Sequence, residues 1–74
     1  MKKISNYVAG YRKMFGITQG ELAKSVGIGV TSLCHKERGA IDWTGHNMVT
    51  ITKEFQKYKD DLKMDDIFFI LKDH

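Results

Sequence analysis

The chain has no proline, a single cysteine and no long apolar run among its 74 residues. Without proline, and with 42% apolar residues spread along its length, the composition suits a compact helical bundle better than a disordered tail. One cysteine excludes an internal disulfide, and no CxxC or Cys/His cluster suggests zinc. Cys34 is therefore expected as a reduced thiol in a cytosolic protein. The N-terminus carries Lys2 and Lys3 but lacks the apolar stretch of a signal peptide, and nowhere do about 18 apolar residues adjoin to span a membrane. No nucleophile–base–acid set, metal motif or phosphate-cradling loop is visible. An enzyme, a cofactor, a bound metal and a small-molecule ligand are all outside the expectation. The length allows one small domain, residues 1–74, near the lower limit for a self-supporting core.

What is present is uneven. Residues 1–38 hold seven Lys/Arg against Glu21 and Glu37, a balance of +5, whereas residues 39–74 hold five Lys against seven acids, a balance of −2. A basic front half and an acidic back half fit one face turned toward a polyanion. On charge alone, an ordinary solvated surface fits equally well.

Helical spacing recurs along the chain. Ile4, Val8, Tyr11 and Phe15 step by four, three and four, widened by Tyr7 and Met14, and predict a first helix over about 5–15. Ser5 or Asn6 is placed to cap it and Gly16 to stop it. Thr18-Gln19-Gly20-Glu21 matches a capping box, in which threonine and glutamate each satisfy a helix-end donor. It opens a second helix over about 19–26, with Leu22, Ala23 and Val26 inward and Gly27 as stop. Gly27-Ile28-Gly29 reads as a tight turn. A third helix over about 30–38 follows, ended by Gly39, and its inward residues are Leu33 and the stem of Glu37. A helix with so little apolar surface is present for what it shows to the outside. After a 39–44 loop, Thr44 caps a fourth helix over about 45–58, with Met48, Val49, Ile51, Phe55 and Tyr58 at helical spacing. A last helix is expected over about 64–72, favoured by Asp65 and Asp66 at its start.

The residues Arg12-x-x-x-Gly16-Ile17-Thr18-Gln19-x-Glu21-Leu22-Ala23-x-x-Val26-Gly27-Ile28, then Ser32-Leu33, then Glu37-Arg38-Gly39, resemble the Cro/CI-type (XRE-family) helix-turn-helix DNA-binding proteins of phages and bacteria. A weaker similarity continues through Thr44, Met48, Val49, Ile51 and Phe55 to Asp65-Asp66-Ile67-Phe68. The resemblance implies an all-α, compact five-helix bundle of lambda-repressor-like DNA-binding type, with the helix-turn-helix at about 18–38. It implies a sequence-specific transcriptional regulator, a repressor of the phage type, that inserts helix 3 into the DNA major groove. The partners would be double-stranded DNA and a second copy of the chain on a pseudo-palindromic operator, in the bacterial cytosol beside the nucleoid. The alternative is a protein-interaction module of the same fold, antirepressor- or antitoxin-like, with weak or no DNA binding.

Roles follow from the resemblance position by position. Val30, Thr31, Ser32 and His35 fall at base-reading positions. Gln19 and Thr44 fall at phosphate-contacting ones, and Arg12 and Glu37 match an inter-helix ion pair; Lys36 and Arg38, basic residues at the end of the third helix, are expected as further phosphate contacts. A homodimer surface is expected at Ile67, Phe68, Ile70 and Leu71, with simple core packing of those residues as the alternative. The chain departs from the family pattern in having Lys36 where an apolar residue usually precedes the Glu. Trp43 replaces the usual proline, and Ala40 and Ile41 stand where basic residues are common. Its base-reading set also lacks Arg, Gln and Asn, the usual makers of bidentate base contacts.

Overall fold

The computed structural model describes residues 3–71, and side chains from residue 4 to residue 70. The elements run β1 (Lys3–Asn6), α1 (Val8–Met14), α2 (Gln19–Val26), α3 (Val30–Glu37), α4 (Gly45–Gln56), α5 (Met64–Ile67) and β2 (Phe68–Leu71). The chain is thus mostly helical, with five helices among the described residues, but it is not all-α. β1 and β2 form a two-stranded antiparallel ribbon that pairs Ile4 with Ile70 and Asn6 with Phe68.

The ribbon overturns two expected helix boundaries. Helix 1 begins at Val8 rather than near residue 5, because the backbone of residues 3–6 pairs across to β2 instead of continuing a helix. The last helix keeps one turn and then extends. Alternation explains the change. Four consecutive apolar residues cannot share one face of a helix, but in a strand they divide between two faces. Phe68 turns into the core at 5% exposure, while Phe69 packs its ring against Tyr7, 4.8 Å between centroids. The Tyr7 N–H donates to the Ile67 carbonyl at 2.8 Å, and the Asn6 Oδ1 accepts from the Val8 N–H at 3.0 Å, so α1 starts directly off the ribbon.

The other boundaries lie within two residues of expectation, and local chemistry sets them. At the start of α2, the Thr18 Oγ1 accepts from the Glu21 N–H while the Glu21 carboxylate accepts from the Thr18 N–H. At the start of α4, the Thr44 Oγ1 accepts from the Asn47 N–H. α1, α2 and α3 all end alike, on Gly16, Gly27 and Gly39 in the left-handed region. Beyond each glycine the next N–H reaches back to a last-turn carbonyl: Ile17 to Arg12, Ile28 to Ala23, Ala40 to His35, at 2.9–3.0 Å. This six-residue closure reverses the chain tightly without proline.

The core lies between these helices. α4 supplies its centre, with Ile51 and Phe55 fully buried against Leu22, Leu33 and Val8. Trp43, from the loop before α4, meets the Phe68 ring edge-on at 5.1 Å and closes the side nearest the ribbon. No helix among the described residues is long and apolar enough to cross a membrane.

The cap on α2 is the most directly testable of these local devices. Thr18→Ala is expected to cost about 1 kcal/mol and to lower Tm by about 4–8 °C in a thermal melt. The Glu21 carboxyl is held below its ordinary value of 4.5, first by the Thr18 N–H and then by the Thr18 side chain. Its contribution is present above that value and is lost as pH falls through the lower folded one. Melts of the wild type and Glu21→Gln should therefore converge in acid, and a constant difference down to low pH would remove the carboxylate from the cap.

Candidate nucleic-acid interface

Three helices meet on one carboxylate. Arg12, on the inner side of α1, places its Nε 2.9 Å from Glu37 Oε2 and its Nη2 3.3 Å from Oε1, while its Nη1 donates to the Ile17 carbonyl at 3.1 Å. Gln19, the first residue of α2, donates its Nε2 to the same Glu37 Oε1 at 2.9 Å. The Arg12 and Glu37 side chains are 10% and 4% exposed. A forked, charge-assisted pair in which each of the three guanidinium nitrogens has a partner is the geometry that a buried ion pair needs. It ties the end of α3 to the start of α2 and to α1.

The clamp leaves α3 with one side inward and little of itself consumed by packing. Leu33 is fully buried. Val30 and Thr31, at the start of the helix, are exposed; Ser32 and His35 are half-buried, and Arg38 is exposed just past its end. Gly29 precedes α3 in extended conformation and has no side chain to cap the first-turn N–H groups, which leaves them open to an outside acceptor.

Lys36 contradicts its expected role at a phosphate. It is 6% exposed, its Nζ donates to the Asp42 carbonyl at 2.8 Å, and the ammonium lies 5.8 Å from the centre of the Trp43 ring. The reason is position: residue 36 follows Leu33 by one turn and faces inward with it. Its aliphatic stem packs while its head satisfies a loop carbonyl. Lys36 and Trp43 thus hold the 39–44 loop together. The Trp43 Nε1 is buried with no hydrogen-bond partner among the described residues.

The expected dimer surface divides. Ile67 and Phe68 are core residues at 0% and 5% exposure, so they present nothing to a partner, as core packing required. Ile70 is exposed and lines an open groove with Ile4, Met48 and Met64. The Leu71 side chain lies outside the described residues. Thr44 is exposed, with its hydroxyl oxygen engaged as the α4 cap.

No family model, no curated protein and no solved structure matches this chain.

Asn6 is the residue that sequence reasoning undervalued. Beyond accepting from the Val8 N–H, its Nδ2 donates to the Lys36 and Glu37 carbonyls at 3.3 and 3.5 Å, joining the ribbon to the last turn of α3. The cap expected at Ser5 or Asn6 falls instead at Tyr7, with no side-chain cap bond. The second contact spans 30 residues, and no local pattern carries it. Among the described residues no group of three His, Cys, Asp or Glu is placed to hold a metal ion.

The clamp predicts an asymmetry between its members. Glu37→Ala strands the buried Arg12 charge and is expected to cost about 3–5 kcal/mol in urea denaturation. Gln19→Ala, which removes one hydrogen bond, is expected to cost about 1 kcal/mol. A Glu37→Ala loss no larger than that of Gln19→Ala would show that the pair is not the joint between the helices.

Proposed function

We propose that this protein is a sequence-specific DNA-binding regulator that lays α3 in the major groove. The observation that carries this reading is the clamped α3 itself. The helix is tied at its C-terminal end by Glu37, buries Leu33 and Lys36, and has Val30 and Thr31 exposed at its N-terminal end with no structural duty. A helix about 10–12 Å across fits a groove about 12 Å wide. In such docking it is the first residues of the inserted helix that reach base edges.

Each residue then has a chemistry. Val30 offers only a methyl contact to thymine. Thr31 and Ser32 donate or accept at base edges or phosphate, and His35, one turn on, can hydrogen-bond guanine. Gln19 keeps one amide N–H beyond the bond to Glu37, Thr44 keeps its hydroxyl hydrogen, and Arg38 is exposed just past the helix end. These are contacts of the kind that position a protein on the phosphate backbone. The basic balance of residues 1–38 supplies the long-range attraction. The motif residues from Arg12 to Gly39, which resemble the Cro/CI-type helix-turn-helix family, favour the same reading. Two copies would read half-sites about one helical turn apart and regulate by occupying or recruiting at a promoter.

Selection of bound sequences from a random DNA pool tests the proposal: enrichment of a defined, pseudo-palindromic site supports it, and no retention even at low salt overturns it. Thr31→Ala and His35→Ala should shift preference at single positions, about 1–3 kcal/mol for each direct contact. Gln19→Ala should weaken all sequences alike. Lys36→Met should leave the dependence of affinity on salt unchanged, because its ammonium is internal. A slope reduced by about one unit would return Lys36 to the phosphates.

A further inference from the structure

The outward face of α1 carries a stripe that the DNA reading does not use. Tyr7, Gly10, Tyr11 and Met14 follow one another at helical spacing and line an open groove of about 260 Å³. Tyr7 is 58% exposed and Met14 70%. The stripe does not end with the helix. Tyr7 leans on Phe69 of β2. At the other end, Tyr11 stacks on Phe15 at 6.0 Å and Phe15 on Tyr58 at 5.1 Å, the last two nearly parallel. Tyr58 is itself 53% exposed. An aromatic band thus runs from the ribbon across α1 to the end of α4, and single chains rarely expose continuous apolar patches above a few hundred Å².

Gly10 is the anomaly in that band. It is the third residue of a seven-residue helix, where glycine is the poorest choice after proline. Its φ is not positive, and a Cβ added there would meet nothing within 4 Å. Nothing among the described residues calls for the missing side chain. A notch on an exposed helix face lets a second backbone or a large side chain come close.

We propose that the α1 face pairs with the same face of a second copy, the two helices antiparallel about a twofold axis passing between residues 10 and 11. In that arrangement the Tyr11 of each copy covers the Gly10 notch of the other, and each Met14 lies against the opposite Tyr7, a thioether on an aromatic ring. The occupant is a second copy because knob, notch and platform all lie within one eight-residue stretch, which makes the surface complementary to itself, as a twofold interface requires. Charge agrees. Arg12 is turned inward to Glu37, and the two Lys13 residues are offset by roughly 7–8 Å along the axis rather than opposed. Three of the six aromatic and Met side chains of the band, Tyr7, Met14 and Tyr58, are more than half exposed, a smaller surface than the about 800 Å² per partner of a standard interface, so the association is weak. This surface stands on α1 and holds whether or not α3 enters DNA.

Sedimentation of the full chain without DNA, from low micromolar to near-millimolar concentration, should show a monomer–dimer equilibrium. Met14→Glu, at a site 70% exposed, should leave Tm in dilute solution unchanged and weaken association at least a hundredfold. Gly10→Ala should raise the Tm of the dilute monomer while weakening association at least tenfold, a pair of opposite effects that a purely structural glycine would not give. Ile70→Lys, on the separate groove beside β2, should leave association as it is. A monomer at every concentration overturns the proposal. So does association that survives Met14→Glu or Gly10→Ala, or that is lost with Ile70→Lys.

Discussion

The Glu37 carboxylate is the point on which the relative placement of α1, α2 and α3 depends. It accepts from Arg12 twice and from Gln19 once, at 4% exposure. An ion pair so deep contributes little net stability, because the desolvation of both charges offsets their attraction. What it does supply is direction. A planar guanidinium and a carboxylate meet well in few orientations, whereas apolar contacts between short helices tolerate sliding. α3 has one fully buried apolar residue, Leu33, and hydrophobic packing alone would hold it loosely. The polar joint at its C-terminal end, with the Asn6 tether to the same turn, allows its N-terminal end to stand free.

Short helices connected without proline need another way to reverse direction. Here it is the same closure used three times, at Gly16, Gly27 and Gly39. Each consumes the orphan carbonyls of a helix end and delivers an apolar or small residue just beyond: Ile17 and Ile28 to the core or its edge, Ala40 to the loop. The capping box at Thr18 and the cap at Thr44 do the same work at helix starts. Helices of seven or eight residues are unstable alone. Their ends and shared core keep them formed.

The surface is divided by chemistry. α3 shows small polar and branched side chains around an uncapped helix start. The outward face of α1 shows tyrosine and methionine around a notch. Asp60, Asp61, Asp65 and Asp66, all exposed, lie on the 57–63 turn and α5, away in sequence from both. Lys36 illustrates how composition misleads about such a division. As one of seven cations in the first half it counts toward a basic face, yet its ammonium is bound to the Asp42 backbone carbonyl inside a loop.

The inner helix starts and stops, the capping box and the glycine closures were legible in the sequence, because each depends on residues near one another; the Arg12–Glu37 pairing was implied only by the family resemblance, since 25 residues separate its members. The exposure of Val30 and Thr31 was legible too, since a helix with one clear core residue must show the rest. The ribbon was not. Ile4 followed by Val8 has the period of a helix, and Phe68-Phe69-Ile70-Leu71 has no period at all; whether either segment extends depends on its finding the other, as Ile4 finds Ile70. The fates of Lys36, Phe68 and Asn6 were decided the same way, by partners that only the assembled core brings within reach. Local hydrogen bonding and periodicity, by themselves, determined where α2, α3 and α4 begin and where α1, α2 and α3 end. Tertiary structure decided which long side chains turn inward and how the two ends of the chain pair, because those choices rest on burial and on contacts between segments distant in sequence.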